Sequence, residues 1–234
     1  MFVRIWRLEG RVIMKSLSIF NPTRFFVSVI AMASMATGGI AQGTSDRVEL
    51  SLLGSLARNN AKGDYKFPGA SSFKRSGSRA YINHFARKLA QNDGEIPLYE
   101  DVLQQGIRVW EEQSGPLGYT NDLAGGLAFY TVVNHGLAKN YAYKNGMLGN
   151  LVAQYRKAFC SKLIASMTVA KKQDMYDYMI TESVFLQALA SSGRERSQTE
   201  VAEMISKISN MQIQNTFGTD ASNLEITENG LMFR

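Results

Sequence analysis

The stretch "KKQDMYDYMITESVFLQAL", residues 171–189, decides the fold. At about 100° per residue, Met175, Met179, Leu186 and Leu189 fall on one side of a helix, the spacing of a segment that buries one stripe. One carboxylate, Glu182, points between these side chains rather than away from them. An ionised carboxylate in apolar surroundings is costly unless it is paired, hydrogen-bonded or protonated. The stretch is therefore expected to be the central helix of a helical core, carrying a polar group that a neighbouring helix must satisfy.

Helical signals recur on both sides of it. In "SRAYINHFARKLAQND" (78–93), Ile82, Phe85, Ala86 and Leu89 form a stripe stopped by Asn92-Asp93-Gly94. "PLYEDVLQQGIRVWEEQSG" (97–115) opens on Pro97, repeats at Leu98, Val102, Leu103, Ile107 and Trp110, and ends at Gly115-Pro116. "TNDLAGGLAFYTVVNHGLAKNYAY" (120–143) is expected to be capped by Asn121, with Asp122 in the first turn and a stripe of Leu123, Leu127, Tyr130, Leu137 and Tyr141. Gly125 and Gly126 weaken that helix, so another helix should pack closely against them. "NGMLGNLVAQYRKAFCSKLI" (145–164) puts Leu148, Leu151, Val152, Tyr155, Phe159 and Leu163 on one face. In "SQTEVAEMISKISNMQIQN" (197–215), Ser197 and Glu200 have capping-box spacing ahead of Val201, Met204, Ile205, Ile208 and Met211. The tail "TFGTDASNLEITENGLMFR" (216–234) alternates at Leu224 and Ile226 and is expected to lie as a short irregular or extended segment. Six helices with short joins predict a compact all-α bundle over residues 79–234.

The N-terminal third differs in kind. Lys15 and Arg24 precede an uncharged apolar run from Phe25 that fades into Gly39-Ile40-Ala41, the pattern of a secretory signal peptide over residues 1–41. Met14 is the better translation start, because "MFVRIWRLEGRVI" would make an unusually long basic region before the apolar run. The run is too short and too rich in small residues for a stable membrane span after cleavage. Loss of residues 1–41 removes Arg4, Arg7, Arg11, Lys15, Arg24 and Glu9, so the formal charge falls from +6 to +2. The case for a nucleic-acid or anionic-surface partner then largely disappears. Residues 42–78, rich in Gly, Ser, Asn and Lys, are expected to form a flexible N-terminal arm, in which "VELSLLGSL" (48–56) could make a brief docked helix. Export would place the protein in the periplasm or outside the cell, and with Cys160 as its only thiol it can hold no internal disulfide.

Few residue patterns point to chemistry. Two histidines, His84 and His135, and one cysteine fit no metal-ligand spacing, so no metal and no cofactor are expected. No phosphate-cradling Gly-rich loop and no nucleophile elbow occur. The sharper feature is a buried polar cluster. Asn134 lies in line with Leu123, Leu127 and Tyr130 and is the first candidate donor to Glu182, with Tyr130, Tyr176 and Tyr178 as others. As a functional group, Glu182 would be a general acid with a raised pKa. As a structural group, it would fix helix register. The structural role is favoured, because no second carboxylate completes an acid/base pair.

The segments "GPLGYTNDLAGGLAFYTVVNHGL" (115–137), "KKQDMYDYMITESVFLQAL" and "NLEITENGLMF" (223–233) resemble a family of exported bacterial helical proteins catalogued as a domain of unknown function, over residues 79–233. The resemblance implies export and a helical domain, and it supplies no catalytic residues. The leading expectation is a non-enzymatic helical module of the envelope or secreted fraction that binds another protein, a peptide or an envelope component. The alternative is a small envelope hydrolase using Glu182 as general acid, and an exported effector domain ranks third.

Overall fold

The computed structural model describes residues 44–59, 66–77, 80–143, 146–195 and 198–234. The expected signal segment lies outside the described residues. Eight helices and one two-stranded sheet follow in order among them. They are α1 (Thr44–Asn59), α2 (Ala80–Leu89), α3 (Ile96–Ser114), α4 (Leu123–Lys139), α5 (Met147–Ala158), α6 (Lys162–Ala165), α7 (Val169–Glu195), α8 (Thr199–Phe217), β1 (Leu224–Thr227) and β2 (Gly230–Phe233).

Helix α7 contains the opening stretch and extends past both of its ends. Thr168 opens it, its Oγ1 accepting from the Lys171 amide at 3.2 Å. From Met175 to Ala190 nearly every side chain is buried, whichever way it points. The apolar stripe foretold one buried face, but α2, α3, α4, α8 and α1 all pack on α7 and enclose its polar face too. A helix covered all round must be the centre of the core. Gln173, Asp177, Thr181, Glu182 and Ser183 are buried as a result.

Helix α4 is the second core helix, in contact with α7, α8 and α5. The cap is Asp122 rather than Asn121: its Oδ1 accepts from the Ala124 amide at 3.0 Å. Asn121 takes a left-handed φ of 53°, which turns the chain one residue later than expected. A Cβ on Gly126 would lie 2.9 Å from Met179 Cε, so α7 does approach closely there, whereas Gly125 faces the Tyr119 carbonyl in the preceding loop. The helix ends at Asn140, with φ 49°. Tyr141, expected in the stripe, therefore lies beyond the helix and is 52% exposed.

Two further expectations are corrected. The helix predicted over 145–164 stops at Ala158, and Ser161 caps a new turn, its Oγ accepting from the Ile164 amide at 3.3 Å. The interruption changes the phase, burying Ile164 and exposing Leu163. In the stretch 42–78, expected as an arm with a brief docked helix over 48–56, the docked helix is found and is longer: α1 has sixteen residues, buries Leu50, Leu53 and Ala57 and packs on α8. Helices α1 and α6 raise the count from six to eight. At α8, Ser197 lies outside the described residues, and Gln198 precedes the helix without a side-chain cap bond.

The C-terminal tail is an ordered antiparallel hairpin in which Leu224 faces Phe233 and Thr227 faces Gly230. Glu228 and Asn229 make the turn, and Gly230 just after it adopts φ 104°, a conformation that suits glycine. The hairpin is held from two helices. Gln154 of α5 accepts from the Leu231 amide at 2.6 Å and donates to its carbonyl at 3.0 Å. His135 Nε2 lies 3.0 Å from Ala221 O and 3.1 Å from Leu224 O.

Candidate functional site

Glu182 is 1% exposed, and its partners come from α8 and α7. Gln212 Nε2 donates to Glu182 Oε2 at 2.7 Å, and Gln212 Oε1 accepts from the Tyr130 hydroxyl at 2.9 Å. The Tyr178 hydroxyl bonds to Glu182, and burial followed by that carboxylate's charge pushes the phenol pKa well up. Tyr130 and Tyr178 lie with ring centroids 6.2 Å apart. The network spans α4, α7 and α8. Buried polar groups satisfied in this way specify one arrangement of the helices around them.

Of the predicted cluster, Glu182, Tyr130 and Tyr178 therefore come together, and Asn134 does not join them. Its Nδ2 donates to Tyr130 O, one turn back on its own helix, at 3.0 Å. Tyr176 is engaged elsewhere, accepting from Trp110 Nε1 at 2.7 Å. Gln212 escaped detection because it sits between the apolar positions Ile208 and Ile213 of α8. Only the distance across the bundle shows that it reaches Glu182.

His135 is bonded into the fold through both ring nitrogens. His135 Nδ1 meets the Tyr143 hydroxyl while Nε2 faces two carbonyls, the set that a neutral ring protonated at Nε2 satisfies. Burial lowers its pKa, opposed in part by the two carbonyls. His84 and Cys160 are half-buried. Among the described residues no three His, Cys, Asp or Glu side chains gather as a metal site.

The solvent-facing site lies on the other side of α7. Residues 66–77 form a strap over α7 and the start of α4. Phe73 N donates to Asn121 O at 3.0 Å, Leu123 N to Ser71 O at 3.0 Å and Lys172 Nζ to Ala70 O at 2.6 Å. Gln173 Oε1 accepts from both Ser76 N (2.7 Å) and Ser76 Oγ (2.9 Å). Arg75 forks, with one nitrogen 2.7 Å from Glu111 Oε1 and another 2.6 Å from Asp177 Oδ1.

Beside this fork opens a cavity of about 280 Å³ between the strap, α2 and α3. Arg75, Ser76 and Gly77 form one wall, Ile82 another, and Gln104, Ile107, Arg108 and Glu111 of α3 the third. Burial raises the Asp177 carboxyl to about 6 although Arg75 opposes the shift, and burial raises Glu111 against the same arginine. One guanidinium thus shares two carboxylates at the edge of a cleft. None of these residues was singled out from the sequence. Gln173 and Asp177, four apart on α7, were the available signal, since two polar side chains on one face of an enclosed helix require a partner.

A family model described as a family of unknown function (DUF6683) matches residues 55–234, beginning inside α1 and running through the hairpin. No curated protein and no solved structure matches the chain. The match takes in the strap, the cleft and the Glu182 network together, and the chain belongs to this family of unknown function.

Proposed function

We propose that this protein is an exported, non-enzymatic helical binding module of the bacterial envelope or secreted fraction, and that the cleft between the strap and α3 is where it binds. The observation that carries this is the cleft itself, about 280 Å³ and bordered by charged side chains, on a chain whose most conspicuous buried acid does not line it. The signal pattern of residues 1–41 supports export. Among the described residues the exposed large apolar side chains, Leu117, Tyr141, Leu163, Val169 and Met232, sit on separate elements, which favours the cleft over a broad docking face there.

The hydrolase alternative assigns Glu182 the role of general acid. A general acid must come within hydrogen-bond reach of substrate, and at 1% exposure Glu182 is bonded to Gln212 and Tyr178 instead. The test has two arms. The mature protein recovered from the envelope or medium should begin at Gln42, and a full-length N terminus confined to the cytosol would overturn export. Thermal-shift screening of the mature protein against a metabolite and peptide library should give stabilising hits that Arg108→Gln weakens. A library without hits would overturn the binding role.

A further inference from the structure

We infer that the cleft takes a small zwitterion with an aliphatic side chain, an α-amino acid such as leucine, a proposal that rests on the cleft being the binding site. Charge decides first. Among the described residues, the ionisable groups at the cleft and directly behind it are Arg75, Arg108, Glu111 and Asp177, two cations and two anions. An inorganic phosphate or a dicarboxylate would gain Arg108 but face Glu111 and Asp177. A diamine would face both guanidinium groups. A ligand carrying one charge of each sign suits such a field.

The positions of the charges support the same class. Arg108 makes no ion pair among the described residues, and Glu111 gives Oε1 to Arg75 while Oε2 has no donor among them. Arg108 and Glu111 are three residues apart on α3 and so share a face, with an axial rise of roughly 4.5 Å between them. A ligand carboxylate would pair with the Arg108 guanidinium and a ligand ammonium with Glu111 Oε2. The ammonium would also offset the burial that raises Glu111.

Size and polarity set the rest. At about 30 Å³ per water, a cavity of about 280 Å³ has room for on the order of nine waters or a similar number of ligand heavy atoms. That is the size of a single amino acid such as leucine, below that of a drug-sized ligand. Ile82 and Ile107 supply the apolar walls, and the Gln104 side chain supplies a neutral polar group at the rim.

The experiment is calorimetric titration of the mature protein with L-leucine, leucyl-leucine, leucinamide, N-acetyl-leucine, inorganic phosphate and putrescine. Leucine should bind, and leucyl-leucine, with roughly twice its heavy atoms, should bind more weakly. Leucinamide, lacking the carboxylate, and N-acetyl-leucine, lacking the ammonium, should each bind about tenfold or more weakly, the loss expected for one charge-assisted bond. Arg108→Gln, at an exposed position, should weaken leucine by a similar factor and leave leucinamide unchanged. Equal binding of the blocked compounds, or preferred binding of phosphate or putrescine, would overturn the zwitterion while leaving the cleft as a binding site. No binding of any of the six to the wild-type protein would also overturn it, and the library screen above would then decide separately whether the cleft binds anything.

Discussion

Replacing Gln212 with alanine should be among the most destabilising single changes in the chain. The side chain is 3% exposed and makes two bonds at once, donating to Glu182 Oε2 at 2.7 Å and accepting from the Tyr130 hydroxyl at 2.9 Å. Truncation leaves a buried carboxylate short of a donor, at about 1.5–3 kcal/mol for a bond to a charged group, and a buried phenol short of an acceptor, at about 1–3 kcal/mol. The deleted atoms also leave a small cavity between α7 and α8. Together these suggest a loss of roughly 3–5 kcal/mol. At ~2–4 °C per kcal/mol for a domain of this size, the melting temperature should fall by about 6–20 °C. Glu182→Gln keeps an acceptor for Gln212 and should cost clearly less. Urea denaturation followed by circular dichroism measures both variants, and the double variant Glu182→Leu/Gln212→Leu should lose less than the sum of its singles. A shift below about 1 kcal/mol for Gln212→Ala would refute the register role of this network.

Three other outcomes follow from the same contacts. Gly54→Ala would favour an isolated helix by about 1 kcal/mol, but a Cβ there would lie 1.9 Å from Thr216 O. Docking of α1 therefore predicts destabilisation by about 1–3 kcal/mol, and a stabilised variant in thermal melts would mean that α1 does not pack on α8. Asp177 titrates at about 6 in the fold against 3.8 for the free side chain, so on its own it favours folding more as pH falls from 6 to 3.8. Its ion pair with Arg75 has the opposite dependence, because Arg75 lowers the same pKa and so holds best to the ionised form. Amide protection factors at Phe73 and Ser76, with the intrinsic pH dependence of exchange divided out, should thus fall below about pH 6 in the wild-type protein, and Asp177→Asn should abolish that fall. His135 has a folded pKa below its ordinary 6.5, so its contribution is complete above pH 6.5 and is lost as pH falls from there through the lowered value. The amide protection factor at Leu231 should report the loosening of the hairpin, and a value unchanged between pH 7.5 and 5 would contradict the arrangement.

The sequence was most informative where one face of a helix meets the core. Ile82, Phe85, Ala86 and Leu89 of α2, and Val102, Leu103, Ile107 and Trp110 of α3, are all buried as their spacing predicts. It was least informative where local and tertiary demands diverge. Residues 145–164 read as one helix because an apolar period tolerates a break at Phe159–Cys160, yet Ser161 restarts the chain in a different phase. The Gly- and Ser-rich composition around Lys66–Gly77 looks like an arm until its backbone is seen pairing with Asn121 and Leu123. The candidate site divides in the same way. Glu182 stood out because it interrupts an apolar stripe, and Tyr130 and Tyr178 were named with it. Gln212 and Arg75 are polar residues in unremarkable surroundings, and their roles arise only from contacts 30 and 102 residues away in the chain.

Asp177 and Glu182 lie five residues apart on α7, which rotates them by roughly 140° about its axis. They are 1% exposed alike, yet they are satisfied in different ways. Glu182 faces α8 and takes neutral donors from Gln212 and Tyr178, inside a network whose members do not line the cleft. Asp177 faces the strap and takes a guanidinium whose side chain remains 24% exposed and is shared with Glu111 at the cleft wall. A neutral-donor pin in the core responds to little except loss of its partners. An ion pair at a cleft edge can respond to a proton or to a charged ligand that competes for Glu111. If the cleft binds its ligand through Arg108 and Glu111, ligand should alter Arg75 and strap exchange while leaving exchange in α8 around Gln212 unchanged. Protection spreading equally to α8 would show that the two carboxylates belong to one coupled unit.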